Sequence, residues 1–161
     1  MAKIHLRDAS PEDVPTILAL IKELAMFERE PDAVVATEDD LLRDGFGPEK
    51  RFGCRVVELD GRVVGFALWF FSYSTWLGRA GIYLEDLYVA EAARGHGLGR
   101  RLIIDMAQVA VRHEAPRLDL SVLDWNPARG FYERLGIQHR ADWAPYRIDG
   151  EALRRLAADG S

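Results

Sequence analysis

The chain has 161 residues, 48% apolar and 29% charged, with a net charge of −5 at pH 7. That length suits a single domain spanning residues 1–161, and negative charge without a lysine or arginine block argues against nucleic acid as a partner. The lone Cys54 excludes an internal disulfide and a cysteine metal cluster; with no leader-like start and no membrane-length apolar run, the expected location is cytoplasmic, away from membranes.

Ile4 and Leu6 alternate with polar neighbours and predict a short first strand. Ser10-Pro11-Glu12-Asp13 is a helix start: a capping serine, a proline in the first turn and acids near the positive end. The helix it opens carries Val14, Ile17, Leu18, Leu20, Ile21, Leu24 and Ala25 as a broad apolar stripe and fades near Glu28. Thr37-Glu38-Asp39-Asp40 repeats the capping logic for a second, short helix that stops at Gly45 and Gly47.

Phe52–Leu59 and Arg62–Ser74 are predicted strands joined by Asp60-Gly61, a strong two-residue hairpin signal. A second turn between Tyr73 and Gly81 leads into a strand over Ile82–Val89. A helix from Leu98 to about His113, a strand over Leu118–Val122, a short helix through Phe131, Tyr132 and Leu135, a strand near Tyr146–Ile148 and a helix from about Gly150 to Ala158 complete the chain. This order predicts an α/β fold: a mixed, mostly antiparallel sheet with helices on both faces. The step from Tyr83 through Val122 should be a parallel crossover.

The stretch YLEDLYVAEAARGHGLGRRL, Tyr83 to Leu102, joins a strand, a glycine-rich turn and a helix start beside arginines. Glycines let a backbone approach a phosphate, and first-turn amides are free to donate to it. A dinucleotide fingerprint fails because Arg100 stands where a glycine or alanine is needed, and a nucleotide P-loop fails because arginines replace its lysine and hydroxyl. The remaining pattern, Arg94-x-x-Gly97-x-Gly99, resembles the coenzyme A diphosphate loop of the Gcn5-related N-acetyltransferases (GNATs). Thirty residues on, Asn126-Pro127-Ala128-Arg129-Gly130-Phe131-Tyr132-Glu133-Arg134-Leu135-Gly136 is similar to the segment that closes the catalytic core of that superfamily.

Within it, Ile21-Lys22-Glu23-Leu24-Ala25, Leu41-Leu42-Arg43-Asp44-Gly45-Phe46-Gly47 and Tyr83-Leu84-Glu85-Asp86-Leu87-Tyr88-Val89 resemble the diamine acetyltransferases, which include the spermidine/spermine and thialysine enzymes. Asp142-Trp143 and Tyr146-Arg147-Ile148-Asp149 continue the likeness. Phe27 stands where those enzymes have a tyrosine, and the interval from Asn126 to Tyr132 is one residue short.

The resemblance implies the GNAT fold, acetyl-CoA as co-substrate, a small primary amine as acceptor and a homodimer. It assigns Glu85 to deprotonation of the amine, directly or through water, and Tyr132 to general acid or hydrogen-bond donor for the leaving thiolate. It places the coenzyme on Leu87, Tyr88, Val89, the loop Arg94, Gly95, His96, Gly97, Leu98, Gly99 and Arg100, and Asn126, which equally suits a helix cap before Pro127. The acceptor maps onto Phe27, Glu28, Glu85, Asp119, Ser121 and Asp142. Asp86 is expected on the opposite sheet face from Glu85 if the strand stays regular.

Chemistry demands such groups, since an alkyl amine of pKa ~10.4 is uncharged in only roughly one molecule in a few thousand at pH 7. A phenol of pKa ~10 protonating a thiolate of pKa ~8.5 works uphill by about 2 kcal/mol, so Tyr132 fits hydrogen-bond donation to the developing charge better than full transfer. His5, His96, His113 and His139 lack metal spacing, and no metal is expected. Acetylation of a protein lysine or N-terminus, and a non-catalytic acyl-CoA-binding module, are the competing readings.

Overall fold

A computed structural model describes residues 1–160. They form two compact units, Met1–Leu123 and the segment from Asp124 onward. The first contains β1 (Ile4–Asp8), α1 (Val14–Phe27), α2 (Glu38–Phe46), β2 (Gly53–Leu59), β3 (Arg62–Ser74), β4 (Arg79–Val89), α3 (Leu98–Arg112) and β5 (Leu118–Leu120). The second contains α4 (Ala128–Arg134) and α5 (Gly150–Ala158).

The five strands lie in chain order, antiparallel from β1 to β4, with β5 parallel to β4. The Asp60-Gly61 turn is the expected tight hairpin; both residues have positive φ, 52° and 83°, as a two-residue turn matched to strand twist requires. Arg79–Gly81 extends β4 beyond the predicted start, pairing with Ser72–Ser74 of β3 and confining the second turn to the residues between.

Consecutive Val56 and Val57 on β2 are both fully buried, so both faces of the sheet are covered. On one face Cys54, Val56, Phe66, Leu68 and Tyr88 pack with Val14, Ile17, Leu18 and Leu20 of α1 and Leu41 of α2. α3 covers the other, where Arg55 reaches Asp105 of that helix at 2.7 Å. Each fully buried aliphatic side chain in these layers is worth roughly 1.5–3 kcal/mol, and together they fix the three helices against the sheet.

Helix starts follow local chemistry. Thr37 accepts from the Asp40 amide while Asp40 accepts from the Thr37 amide, a reciprocal cap. At Ser10 the chain first makes a 3-10 turn, Pro11–Asp13, before α1 begins. The Asp13 carboxylate accepts from the Ser10 amide and takes both Nη atoms of Arg7.

Among the described residues the strand expected near Tyr146–Ile148 does not form: those residues carry no strand pairing there, and Tyr146 is almost wholly exposed. Three residues of β-pattern do not make a strand without a partner to bond their backbone. α5 forms where its pattern predicts it.

Candidate active site

The centre of the first unit's chemistry is a fault in the β3–β4 ladder. Leu68 pairs with Asp86 but the next residue, Trp69, pairs with Leu84, so Glu85 is an extra residue bulged out of β4. Leu68 belongs to the α1 face, which puts Asp86 on that face; Glu85, adjacent to Leu84 of the α3 side, faces the same way. The expectation that Asp86 and Glu85 point apart is therefore overturned. It assumed strict alternation, and the bulge resets the alternation by one residue.

Glu28, just beyond α1, joins them electrostatically. Burial raises the Asp86 carboxyl to about 6, and the charges of Glu85 and then Glu28 push the same way. Burial, followed by Glu85, also raises Glu28. None of the three acids makes an ion pair among the described residues. Three uncompensated carboxylates on one face form a cation-seeking surface. Farther back along β4 on the same face, Tyr83 pairs in register with Asp119 and shares a 2.7 Å hydrogen bond with Ser121. Asp119 itself lies 3.3 Å from Arg117.

The other half of the site follows β4 to its end. β5 pairs only with Ile82–Leu84, so Glu85–Val89 have no strand partner on that side among the described residues. On that open side the backbone groups of alternate residues, Leu87 and Val89, can bond an extended ligand. Beyond them Gly95 and Gly97 take φ of 91° and 69°, the left-handed region, and Gly97 caps α3. The amides of Leu98, Gly99 and Arg100 open the helix without intrahelical acceptors. No acid stands in that first turn, while Arg100 and Arg101 do, the wrong sign for the positive end of a helix dipole. Neither they nor Arg94 makes an ion pair among the described residues. Free amides and unpaired guanidiniums at one helix end suit a diphosphate. His96 is a loop residue, its Nδ1 3.2 Å from the Ala93 carbonyl oxygen.

Residues 17–137 match the model of the acetyltransferase (GNAT) family. The chain belongs to the GNAT acetyltransferases. Over 98% of its length it is 42% identical to a thialysine N-epsilon-acetyltransferase of Bos taurus, 99% of which is covered. It is 35% identical over 98% of its length to a human spermidine/spermine N(1)-acetyltransferase-like protein 1, covering 24% of that longer chain. An integron cassette protein from the mobile metagenome of V. cholerae has the same fold, with a TM-score of 0.80 at 25% identity over 96% of this chain and 97% of its own. The protein is thus an acyltransferase, and GNAT acetyltransferases take acetyl-CoA as co-substrate.

For this GNAT the structure gathers Glu28, Glu85, Asp119 and Ser121 on one sheet face, with Leu87, Tyr88, Val89 and the loop Arg94–Arg100 continuing the same strand. Phe27 ends α1 in the first unit, and the second unit holds the other assigned residues. Asn126 is buried, and its Oδ1 accepts from the Ala128 amide at 2.9 Å, so it is a cap at the start of α4. Tyr132 lies on α4, half-buried, edge-on to Phe131 with centroids 5.1 Å apart. Asp142 is exposed and lies 3.5 Å from Arg140.

Asp86 and Tyr83 were absent from the expected site. Asp86 had a signal, its place beside Glu85, but only the pairing with β3 reveals its direction. Cys54 offers no nucleophile, because burial pushes its thiol up to about 12. A cavity of about 360 Å³ near the start of β2, walled by Phe46, Phe52, Trp69 and Phe71, contains none of the assigned residues.

Proposed function

We propose that the protein transfers an acetyl group from acetyl-CoA to the primary amine of a small cationic molecule of the thialysine or diamine type, and that it works as a homodimer. The observation that carries this reading is the face of uncompensated carboxylates, Glu28, Glu85 and Asp86, beside the open edge of β4. Two nearly full-length thialysine acetyltransferase relatives, bovine at 42% and mouse at 40% identity, support the same acceptor class.

Acetyl-CoA supplies the acyl group as an activated thioester. Its diphosphate fits the amides of Leu98, Gly99 and Arg100 with the Arg94 and Arg100 guanidiniums. Leu87 and Val89 offer backbone partners to the pantetheine arm, and Asn126 is assigned to the coenzyme beside its capping role. The acceptor's ammonium is drawn to Glu28 and Glu85 against Phe27, with Asp119, Ser121 and Asp142 as further contacts. Glu85 takes the proton that blocks the nitrogen lone pair, directly or through water. Asp86, whose carboxyl burial raises to about 6, is partly protonated near that pH and there gives up its proton when a cation arrives. Tyr132 donates a hydrogen bond to the departing sulfur, worth ~2–4 kcal/mol by analogy with oxyanion donors.

The test is incubation with acetyl-CoA and a panel of diamines, thialysine, amino acids and lysine peptides, following free thiol. Thiol release is expected with thialysine or diamines and not with peptides. Release with peptides alone would make the enzyme a protein acetyltransferase. Tight coenzyme binding without release to any acceptor would make it a binding module.

A further inference from the structure

Phe27 was assigned to the acceptor and Arg94 to the coenzyme, yet the two side chains meet. The Arg94 Cζ lies 5.7 Å from the centroid of the Phe27 ring and 5.7 Å from that of Tyr88. Its Nε donates to the Val89 carbonyl at 3.3 Å. Phe27 is the last residue of α1, Tyr88 stands near the end of β4, and Arg94 enters the glycine loop. Arg94 is otherwise exposed and has no carboxylate partner among the described residues.

A guanidinium stacked on rings spends its faces and keeps its in-plane N–H groups. With Nε tied to Val89, the Nη atoms are the donors left over for an anion. An exposed arginine without such contacts would lose rotamer freedom on binding a ligand; one already held loses less.

We propose that Phe27 and Tyr88 are positioning residues for Arg94, presenting its Nη atoms to the coenzyme diphosphate. The residue that ends α1 therefore sets coenzyme affinity, whatever it also does for the acceptor. The inference rests on the reading of Arg94 as a diphosphate contact.

The test is calorimetric titration of the full chain with coenzyme A, and with pantetheine, which lacks the diphosphate. Phe27→Leu keeps apolar bulk and removes the ring; Phe27→Tyr keeps the ring. Phe27→Leu is expected to raise the Kd for coenzyme A roughly three- to fivefold, the loss of one exposed cation–π contact. Phe27→Tyr should stay within about twofold of the parent, since the ring that faces the cation is retained. Pantetheine should bind all three alike, and Phe27→Leu should have no further effect in an Arg94→Ala background.

An unchanged or lowered Kd in folded Phe27→Leu overturns the proposal, as does an equal weakening with pantetheine or in the Arg94→Ala background. Arg94→Ala itself separates the two levels. Unaltered coenzyme affinity there removes the diphosphate contact and the positioning role with it. Weakened affinity in Arg94→Ala with no effect of Phe27→Leu removes the positioning role alone.

Discussion

Two groups of carboxylates in the first unit have opposite fates. Around Arg7 and Arg55 every acid has a cation: Asp13 and Glu58 bond Arg7, and Asp8 and Asp105 bond Arg55. Around the β4 bulge Glu28, Glu85 and Asp86 make no ion pair among the described residues. Arg7 hydrogen-bonded to Asp13 holds that carboxyl below its usual range, while burial and mutual repulsion hold Asp86 above it. The first group spends its charge on tying strands to helices. The second keeps its charge unspent, costing the fold stability and leaving a demand that a cationic ligand can meet.

The largest effect expected from breaking this contrast is on turnover. Glu85→Gln should lower kcat by roughly 10²- to 10⁴-fold, the usual contribution of a positioned base, with little change in Tm. Thiol release under saturating amine measures the first and thermal unfolding the second. A kcat within threefold of the parent removes Glu85 from the chemistry.

Next is Asp105→Ala, which leaves Arg55 partly unpaired at a site where the two side chains are only 15% and 9% exposed. A loss of about 3 kcal/mol is expected, roughly 6–12 °C in Tm, with kcat per folded molecule unaltered.

Asp86→Asn should do the reverse. A carboxyl whose folded pKa is raised from 3.8 to about 6 destabilises the native state when ionised. The penalty is absent below 3.8, grows between 3.8 and about 6, and is complete above, with an upper bound of about 3 kcal/mol. Asparagine should therefore stabilise the protein by about 2 kcal/mol at pH 8 and not at pH 4, as denaturant titrations at the two values would show. Amine binding near pH 6 should release a proton, visible as a binding heat that depends on the ionisation enthalpy of the buffer.

The smallest effect is at Asp13, whose depressed pKa makes its contribution present above 3.8 and lost as pH falls through its lower folded value. Asp13→Asn should cost about 1 kcal/mol at pH 7, the gap to the parent closing below pH 3.8. The two substitutions thus bend the pH–stability curve in opposite directions.

What could be read from the sequence was local. Asp60-Gly61 needs only its own positive φ values to turn the chain, Thr37 and Asp40 cap each other across three residues, and Gly97, with its positive φ, opens α3 ahead of first-turn amides that lack intrahelical acceptors. The GNAT likeness rests on such short segments, which carry their chemistry in backbone conformation and spacing. The tertiary structure alone decided relations across elements. Whether Glu85 and Asp86 share a face depends on how β4 registers against Leu68 and Trp69. Whether Tyr146–Ile148 becomes a strand depends on a pairing partner, and whether Phe27 touches Arg94 depends on where α1 ends relative to β4. Turn and cap energies act between near neighbours in the chain, whereas register and ring contacts are set by whichever distant residues the fold brings alongside.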